Sequence, residues 1–444
     1  MAFGKALVAM DRPCREDGRI EAKPRRHRAG PRTAVVVAAL AVPVLASAQG
    51  TDTLRLAQVI ATAREANPML AAVRLRADAA AERVPQAGAW ADPMLSVGLM
   101  NRPIAGFDSD QPMTMNTVQL TQRFPWPGTL GFAGERARNL AEADRFEVDE
   151  AERSLVARIE GLYYRLAFMD RAIGVMDRTR GLLRDFFQVS RARYSVGQGL
   201  QQDVLQAQVA IARMTEDITV MEQDRVAMAA RLNALLGRPA TVPIGALELP
   251  LPGDSLPAVD ALMQTAKARR PALLAAAARV RAAEAGYRAA RRRLYPDVSV
   301  TLAYAARPQF DNFVTLMAGV SIPLWAGARQ LPMRREMQAM HAMEEARALD
   351  LYNETFARLA ELRAQAERAR NLSALYATAV LPQARAAVEA ALSAYRVGRL
   401  EYTTLVQNEM TVNRYEIEVV RLAAEFRQAR AQIEALLGAA PGGA

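Results

Sequence analysis

The chain has almost no cysteine or histidine. Its 444 residues contain one Cys, Cys14, and two His, His27 and His341. A His/Cys metal cluster and a His-based catalytic triad each need several such side chains together, so both are excluded. No intramolecular disulfide is possible either, and no cofactor or enzymatic role is expected. Aromatic residues make up 6% of the chain, and much of its 51% hydrophobic content is Ala. That composition suits long helices packed through small side chains better than a bulky globular core. The apolar run 33–45 falls short of the roughly 20 residues that a membrane-crossing helix needs. Proline is absent from Gly128 through Arg238. Residues 132–196 could therefore run as one helix for about 95 Å at 1.5 Å per residue. The net charge of +10 could suggest nucleic acid as a partner. However, half of it lies in residues 1–48, and no basic stripe interleaved with aromatics follows.

Those first 48 residues have an order of their own. Arg25, Arg26, Arg28 and Arg32 precede the apolar run, and Ala46-Ser47-Ala48 ends it. A basic region, a short apolar core and an A-x-A-like site make a secretory signal peptide, so 1–48 is expected to be removed and the mature chain to begin at Gln49. Cys14 leaves with it. The mature chain then has no cysteine to carry an N-terminal lipid.

The remainder repeats itself. Asn67-Pro68 is answered by Arg270-Pro271, Asp92-Pro93 by Tyr295-Pro296, and Arg102-Pro103 by Arg307-Pro308. Further on, Phe124-Pro125 is answered by Ile322-Pro323, Tyr194-Ser195-Val196-Gly197 by Tyr395-Arg396-Val397-Gly398, and Ala234-Leu235-Leu236-Gly237 by Ala435-Leu436-Leu437-Gly438. Six matches in one order, at offsets from 198 to 205, mark an internal duplication. The expected organisation is a first repeat over 49–240, a Pro-rich linker over 241–256 and a second repeat over 257–440, in extended connection through the linker. Each half has the same grammar: a helix broken near a proline (53–86 at Pro68, 257–294 at Pro271), a strand pair, a very long helix, a Gly turn and a last helix. Gly181 and Pro382 occupy equivalent points in the long helices and both weaken a helix, which predicts a shared kink.

The strand pairs are expected near 92–100 and 116–124, and near 297–305 and 313–322. Val298, Val300, Leu302 and Tyr304 alternate with Ser299, Thr301, Ala303 and Ala305. Leu95, Val97 and Leu99 alternate likewise with Ser96 and Gly98. Period two, with small or polar residues on the second face, describes a strand with an apolar outside and a wet inside. Trp90, Trp126, Trp325 and Tyr295 stand just beyond strand ends, as in an aromatic girdle at a membrane interface. Four strands cannot close a membrane barrel, and open edges are not tolerated in lipid. Other copies must complete the sheet. Three chains would give twelve strands, and four chains would also satisfy the edges.

A leader, a duplicated helix–β-hairpin–helix–helix unit and Pro-bounded strands resemble the TolC-type outer-membrane efflux family. The most specific pieces are Tyr194-Ser195-Val196-Gly197 with Asp203-Val204-Leu205-Gln206-Ala207-Gln208, and Gln122-Arg123-Phe124-Pro125-Trp126-Pro127-Gly128. The resemblance implies a homotrimer whose twelve-stranded barrel spans the outer membrane of a Gram-negative cell and continues as a long periplasmic α-helical barrel. It also implies a passive exit duct, with a periplasmic adaptor and an inner-membrane pump as partners. Tyr194, Val196, Gly197, Gly199, Tyr395, Val397, Gly398 and Arg399 then become adaptor-docking tips. Acidic residues line the closed tip of the family's prototype. The matching second-half positions here are Thr403 and Val406, with Glu401 and Glu409 the nearest acids, whereas the first half keeps Asp203. The Pro-Trp-Pro-Gly stretch is similar to members serving heavy-metal pumps, and Met94, Met100, Met113 and Met115 around the first hairpin offer soft sulfur for Cu(I). The exit duct of a protein secretion system and a periplasmic adaptor are the alternatives.

Overall fold

Asn67 and Arg270 show why each half opens with a broken helix. Proline disfavours helical backbone in the residue before it, yet is well placed as the first residue of a helix. Asn67 accordingly adopts an extended conformation at φ −74°, ψ 116°, and Arg270 does so at φ −66°, ψ 118°. In the computed structural model, which describes residues 55–102, 104 and 111–438, α1 (Leu56–Ala66) and α2 (Pro68–Gly88) flank the first break. Then α5 (Val259–Arg269) and α6 (Pro271–Arg292) flank the second. The leader and the start at Gln49 lie outside the described residues. Asn67 caps α2 by accepting N–H groups of Met69 and Leu70 at 3.0 and 3.1 Å. The rest of the first half is β1 (Met94–Met100), β2 (Met115–Phe124), α3 (Thr129–Ser195) and α4 (Gln201–Leu235). The second half continues with β3 (Asp297–Ala306), β4 (Phe313–Ser321), α7 (Gln330–Leu375), a π turn at Tyr376–Val380, α8 (Leu381–Arg396) and α9 (Tyr402–Leu437).

The Ala-Leu-Leu-Gly motifs close each half upon itself. Gly237 and Gly438 end α4 and α9 in left-handed backbone, at φ 66° and 67°. Glycine takes that conformation without steric cost. A Cβ on Gly237 would also lie 2.7 Å from the Ala66 carbonyl oxygen, and one on Gly438 would overlap that of Arg269. The last helix of each half thus abuts the end of its first. Asn67 joins the same contact, donating from Nδ2 to the Leu235 carbonyl at 2.9 Å.

The alanine content follows from helix packing. On α6, Ala275, Ala278, Ala282 and Ala285 are buried along one stripe, and the first two pack with Ala143 of α3. The 67 residues of α3 extend roughly 100 Å at 1.5 Å per residue. They pack against α2, α4, α6 and α9, while α7 packs against α6 and α9. The shared kink is corrected to a one-sided departure. Helix α3 runs through Gly181 without interruption, whereas the second half inserts the π turn just before Pro382. Proline lacks the N–H that would bond residue 378 and clashes with that carbonyl. Glycine leaves the hydrogen-bond ladder intact.

The four strands form one antiparallel sheet in the order β1-β2-β3-β4. Leu95, Leu120, Leu302 and Leu316 stand in one cross-strand row, and Val97, Val118, Tyr304 and Val314 in the next on the same face. Those side chains are exposed. The opposite face carries Ser96, Gln119, Ala303 and Thr315 in one row, and Met94, Thr121, Thr301 and Met317 in another. Thr301, expected to face open water, is instead packed against Thr121, their hydroxyls 3.0 Å apart. No described helix is long and apolar enough to cross a membrane.

Candidate functional site

The two helix reversals are built alike. Gly197 and Gly398 have φ 73° and 77°. The Gly197 N–H donates to the Tyr194 carbonyl and that of Gln198 to Arg193, at 3.0 and 2.9 Å. The Gly398 N–H donates to Tyr395 and that of Arg399 to Ala394, again at 3.0 and 2.9 Å. This paired pattern satisfies carbonyls orphaned at a helix end, and it needs a left-handed residue at the glycine. The sequence Tyr-x-Val-Gly is therefore a local folding instruction written twice. Gly199 follows with its Cα close beneath Arg193 and Tyr194, where a Cβ would meet backbone at 3.1 Å.

The reversals of one chain also touch each other. Arg193 reaches across to donate to the Tyr395 carbonyl, and its second amino group donates to Gln198 at 3.0 Å. Its guanidinium carbon lies 4.7 Å from the centroid of the Tyr395 ring. The far side of the pair is closed by Tyr402, whose ring meets that of Tyr395 edge-on at 5.7 Å. The Tyr395 hydroxyl donates to Asp203 at 3.4 Å. Burial first, then the Asp203 charge, pushes the Tyr395 phenol up to about 12. Burial likewise raises that of Tyr402. Both stay protonated at any physiological pH. Arg193 carries no sequence signal, because its bond to Tyr395 joins positions 202 residues apart.

Several anticipated site residues occupy different settings. Tyr194, Val196 and Val397 are exposed, while Tyr395 is 2% exposed; within one chain its ring is therefore no docking surface, a correction to the sequence reading. Gly197, Gly398 and Arg399 are exposed at the turns. Asp203 engages Tyr395, whereas Glu401 is exposed and accepts from the Thr403 hydroxyl at 3.4 Å. Val406 packs against the apolar cluster around Leu405 and Tyr402. Glu409 is buried, and burial followed by the Glu416 charge raises its carboxyl.

At the other end of the rods, all four girdle aromatics gather on the helical side of the sheet, since β1 and β3 begin there and β2 and β4 end there. Trp126 stacks on Tyr295 with ring centroids 4.9 Å apart, and Trp90 meets Phe124 edge-on at 5.1 Å. Trp325 is exposed beyond β4. Of the methionines, Met100 and Met115 are cross-strand partners, but Met94 lies at the opposite end of β1. The four therefore do not form one cluster.

The model of the outer membrane efflux protein family matches the chain twice, over residues 59–238 and 262–439. No curated protein matches. Among solved structures, the Vibrio cholerae outer membrane protein VceC is 18% identical with a TM-score of 0.75, covering 86% of this chain and 96% of its own. The Neisseria gonorrhoeae outer membrane channel MtrE, described in its open state, is 16% identical with a TM-score of 0.72, covering 87% and 89%. The Campylobacter jejuni outer membrane channel CmeC is 10% identical at 0.73, covering 86% and 85%. At these identities the structures establish the fold, and the family model establishes the kinship. With its apolar-faced sheet, its long helical rods and two matches to that model, the chain belongs to the outer membrane efflux protein family and is a passive exit duct of the outer membrane rather than an enzyme.

Proposed function

We propose that three copies of this chain assemble into the duct of a tripartite efflux system. The carrying observation is the sheet. Among the described residues its edge strands β1 and β4 each pair on one side only, and one face exposes rows of Leu and Val side chains. Lipid tolerates such a surface but not a free edge. Three four-stranded sheets close twelve strands, with outer-membrane lipid against the apolar face and the Ser, Thr and Ala face toward a water-filled lumen. The girdle of Trp90, Trp126, Tyr295 and Trp325 then marks the periplasmic interface. Helix α4 supports the same assembly. It packs chiefly on α3 and leaves Leu205, Val209, Val220 and Val226 exposed, a face that a neighbouring copy would cover.

In this reading the repeats 49–240 and 257–440, joined by 241–256, descend from one unit. The leader 1–48 is removed, and the mature protein begins at Gln49 without a lipid. The turns at 194–199 and 395–399 form the periplasmic tips, which dock an adaptor coupled to an inner-membrane pump. Asp203, Glu401, Thr403 and Val406 surround the gate, with Asp203 acting through Tyr395 rather than as a free carboxylate. The pump selects the cargo, drugs or metal cations alike.

Leu316→Arg compared with Thr315→Arg tests the assignment. These neighbours on β4 are both exposed but belong to opposite faces. Arginine at the lipid midplane costs about 2–4 kcal/mol, and in the lumen much less. Heat-resistant oligomer on a semi-native gel should be lost for Leu316→Arg and kept for Thr315→Arg. Equal yields of the two would overturn the facing, and with it the barrel.

A further inference from the structure

The two longest helices begin at one cavity. Thr129 at the start of α3 and Gln330 at the start of α7 both line a cavity of about 530 Å³ at the helical end of the sheet. Neither helix is capped by a side chain, and neither has an acidic residue in its first turn. Arg329 even occupies the N-cap position of α7. A cation there opposes the helix macrodipole, whose positive end favours anions. Arg123 and Arg293 line the same cavity. None of these three arginines forms an ion pair among the described residues. The one carboxylate in the lining, Asp297, accepts the Trp126 N–H at 3.0 Å. Thr129 is 7% exposed, and its hydroxyl has no hydrogen-bond partner among the described residues. A buried hydroxyl without a partner costs free energy that a ligand would recover. Helix N-termini with nearby arginines constitute ready-made sites for phosphate and related oxyanions.

We infer that this junction is an oxyanion site, in which Arg123, Arg293 and Arg329, the Thr129 hydroxyl and the N-terminus of α3 bind a phosphate-type group. Cross-strand register places Arg123 beside Ser299 on the small-residue face of the sheet, opposite the apolar face. The site is formed within one chain, so it stands independently of the trimeric duct. The phosphate group could belong to a free anion passing the junction or to the headgroup of an acidic phospholipid.

The test uses the full protein extracted in a neutral detergent. Inorganic phosphate is titrated calorimetrically at constant ionic strength. In parallel, retention of phosphatidylglycerol against phosphatidylcholine is read by native mass spectrometry. The variants are Arg123→Gln/Arg329→Gln and, as a change that keeps all charge and nearly all volume, Thr129→Val. Binding should weaken about tenfold or more in the double variant and several-fold in Thr129→Val. Loss in the phosphate arm identifies a free-anion site. Loss confined to phosphatidylglycerol identifies a headgroup site. If neither probe binds the wild type, or if both bind wild type and variants alike, the inference is overturned.

Discussion

The two halves of the chain fold by one plan but diverge at matching points, and the divergence separates what local sequence dictates from what the neighbouring half dictates. Gly181 leaves α3 unbroken, whereas Pro382 is preceded by a π turn. That difference is local, the consequence of one missing N–H. Tyr194 and Tyr395 begin the same Tyr-x-Val-Gly motif and make the same turn, yet Tyr194 is exposed while Tyr395 is buried beneath Arg193 and against Tyr402. That difference is tertiary. Glu160 and Glu361 are separated by the offset of the turn motifs, 201 residues. Glu160 is buried, whereas Glu361 is exposed and pairs with Arg358 at 2.7 Å. A duplicated sequence has thus kept its turns and strands while its helix faces have acquired separate environments.

Exchanging the helix breakers should give the largest effect. Gly181→Pro imposes on α3 the lesion that the second half already accommodates. It should cost about 3 kcal/mol or more, the usual penalty of proline inside a helix. Pro382→Ala should be tolerated, restoring the missing donor. Chemical denaturation of both variants, followed by circular dichroism, measures the difference; similar stabilities would mean that the π turn has another cause.

Next comes the carboxylate pair. Burial pushes the Glu160 carboxyl up to about 7, with Glu434 adding to the rise and Arg430 opposing it. The folded state therefore holds a proton that the unfolded chain releases near 4.5. Stability contributed at this position is present at low pH, falls as pH rises from about 4.5 to 7, and stays reduced above. Glu160→Gln should remove that slope and recover up to about 3 kcal/mol at pH 8. Glu361→Gln should change stability by less than about 1 kcal/mol, since it breaks only an exposed pair. Unfolding midpoints at pH 5 and pH 8 decide the matter, and a pH slope retained in Glu160→Gln would refute it.

The turns offer a smaller and more functional contrast. Forcing a β-branched residue to positive φ costs about 1–2 kcal/mol, which both Gly197→Val and Gly398→Val should pay. A Cβ at Gly197 meets nothing within 4 Å, but one at Gly398 lies 3.1 Å from the Arg193 guanidinium. Gly398→Val should therefore disturb the bridge to Tyr395 as well, and should impair efflux more than Gly197→Val while normal oligomer persists. Cell resistance to a pump substrate, normalised to oligomer level, is the readout. Equal resistance in the two variants would remove Arg193 from the account.

Much of this architecture was legible before any coordinates. The helix breaks at Pro68 and Pro271, the strand pairs and the Gly turns follow from rules that act within a few residues. Alternation also tells which residues share a face of the sheet, Thr301 standing with Ser299 and Ala303 opposite Leu302. What stayed hidden was contact between the halves. Arg193 has nothing in its own neighbourhood to announce that it will bond Tyr395. The oxyanion cavity was hidden for the same reason, since Arg123, Arg293 and Arg329 come from three separate segments that only the fold unites.

The central claim is that the free edges β1 and β4 meet edges of other copies. The most direct measurement is disulfide crosslinking of Val97→Cys combined in turn with Val314→Cys, Leu316→Cys and Ala318→Cys, which scans the unknown register across the junction. Cys14, the one native cysteine, is replaced by Ser so that the background is clean. The account predicts that at least one pair yields covalent dimers and trimers, and nothing larger, in membranes on mild oxidation. Monomers alone in all three pairs, or a ladder extending beyond three chains, would contradict it.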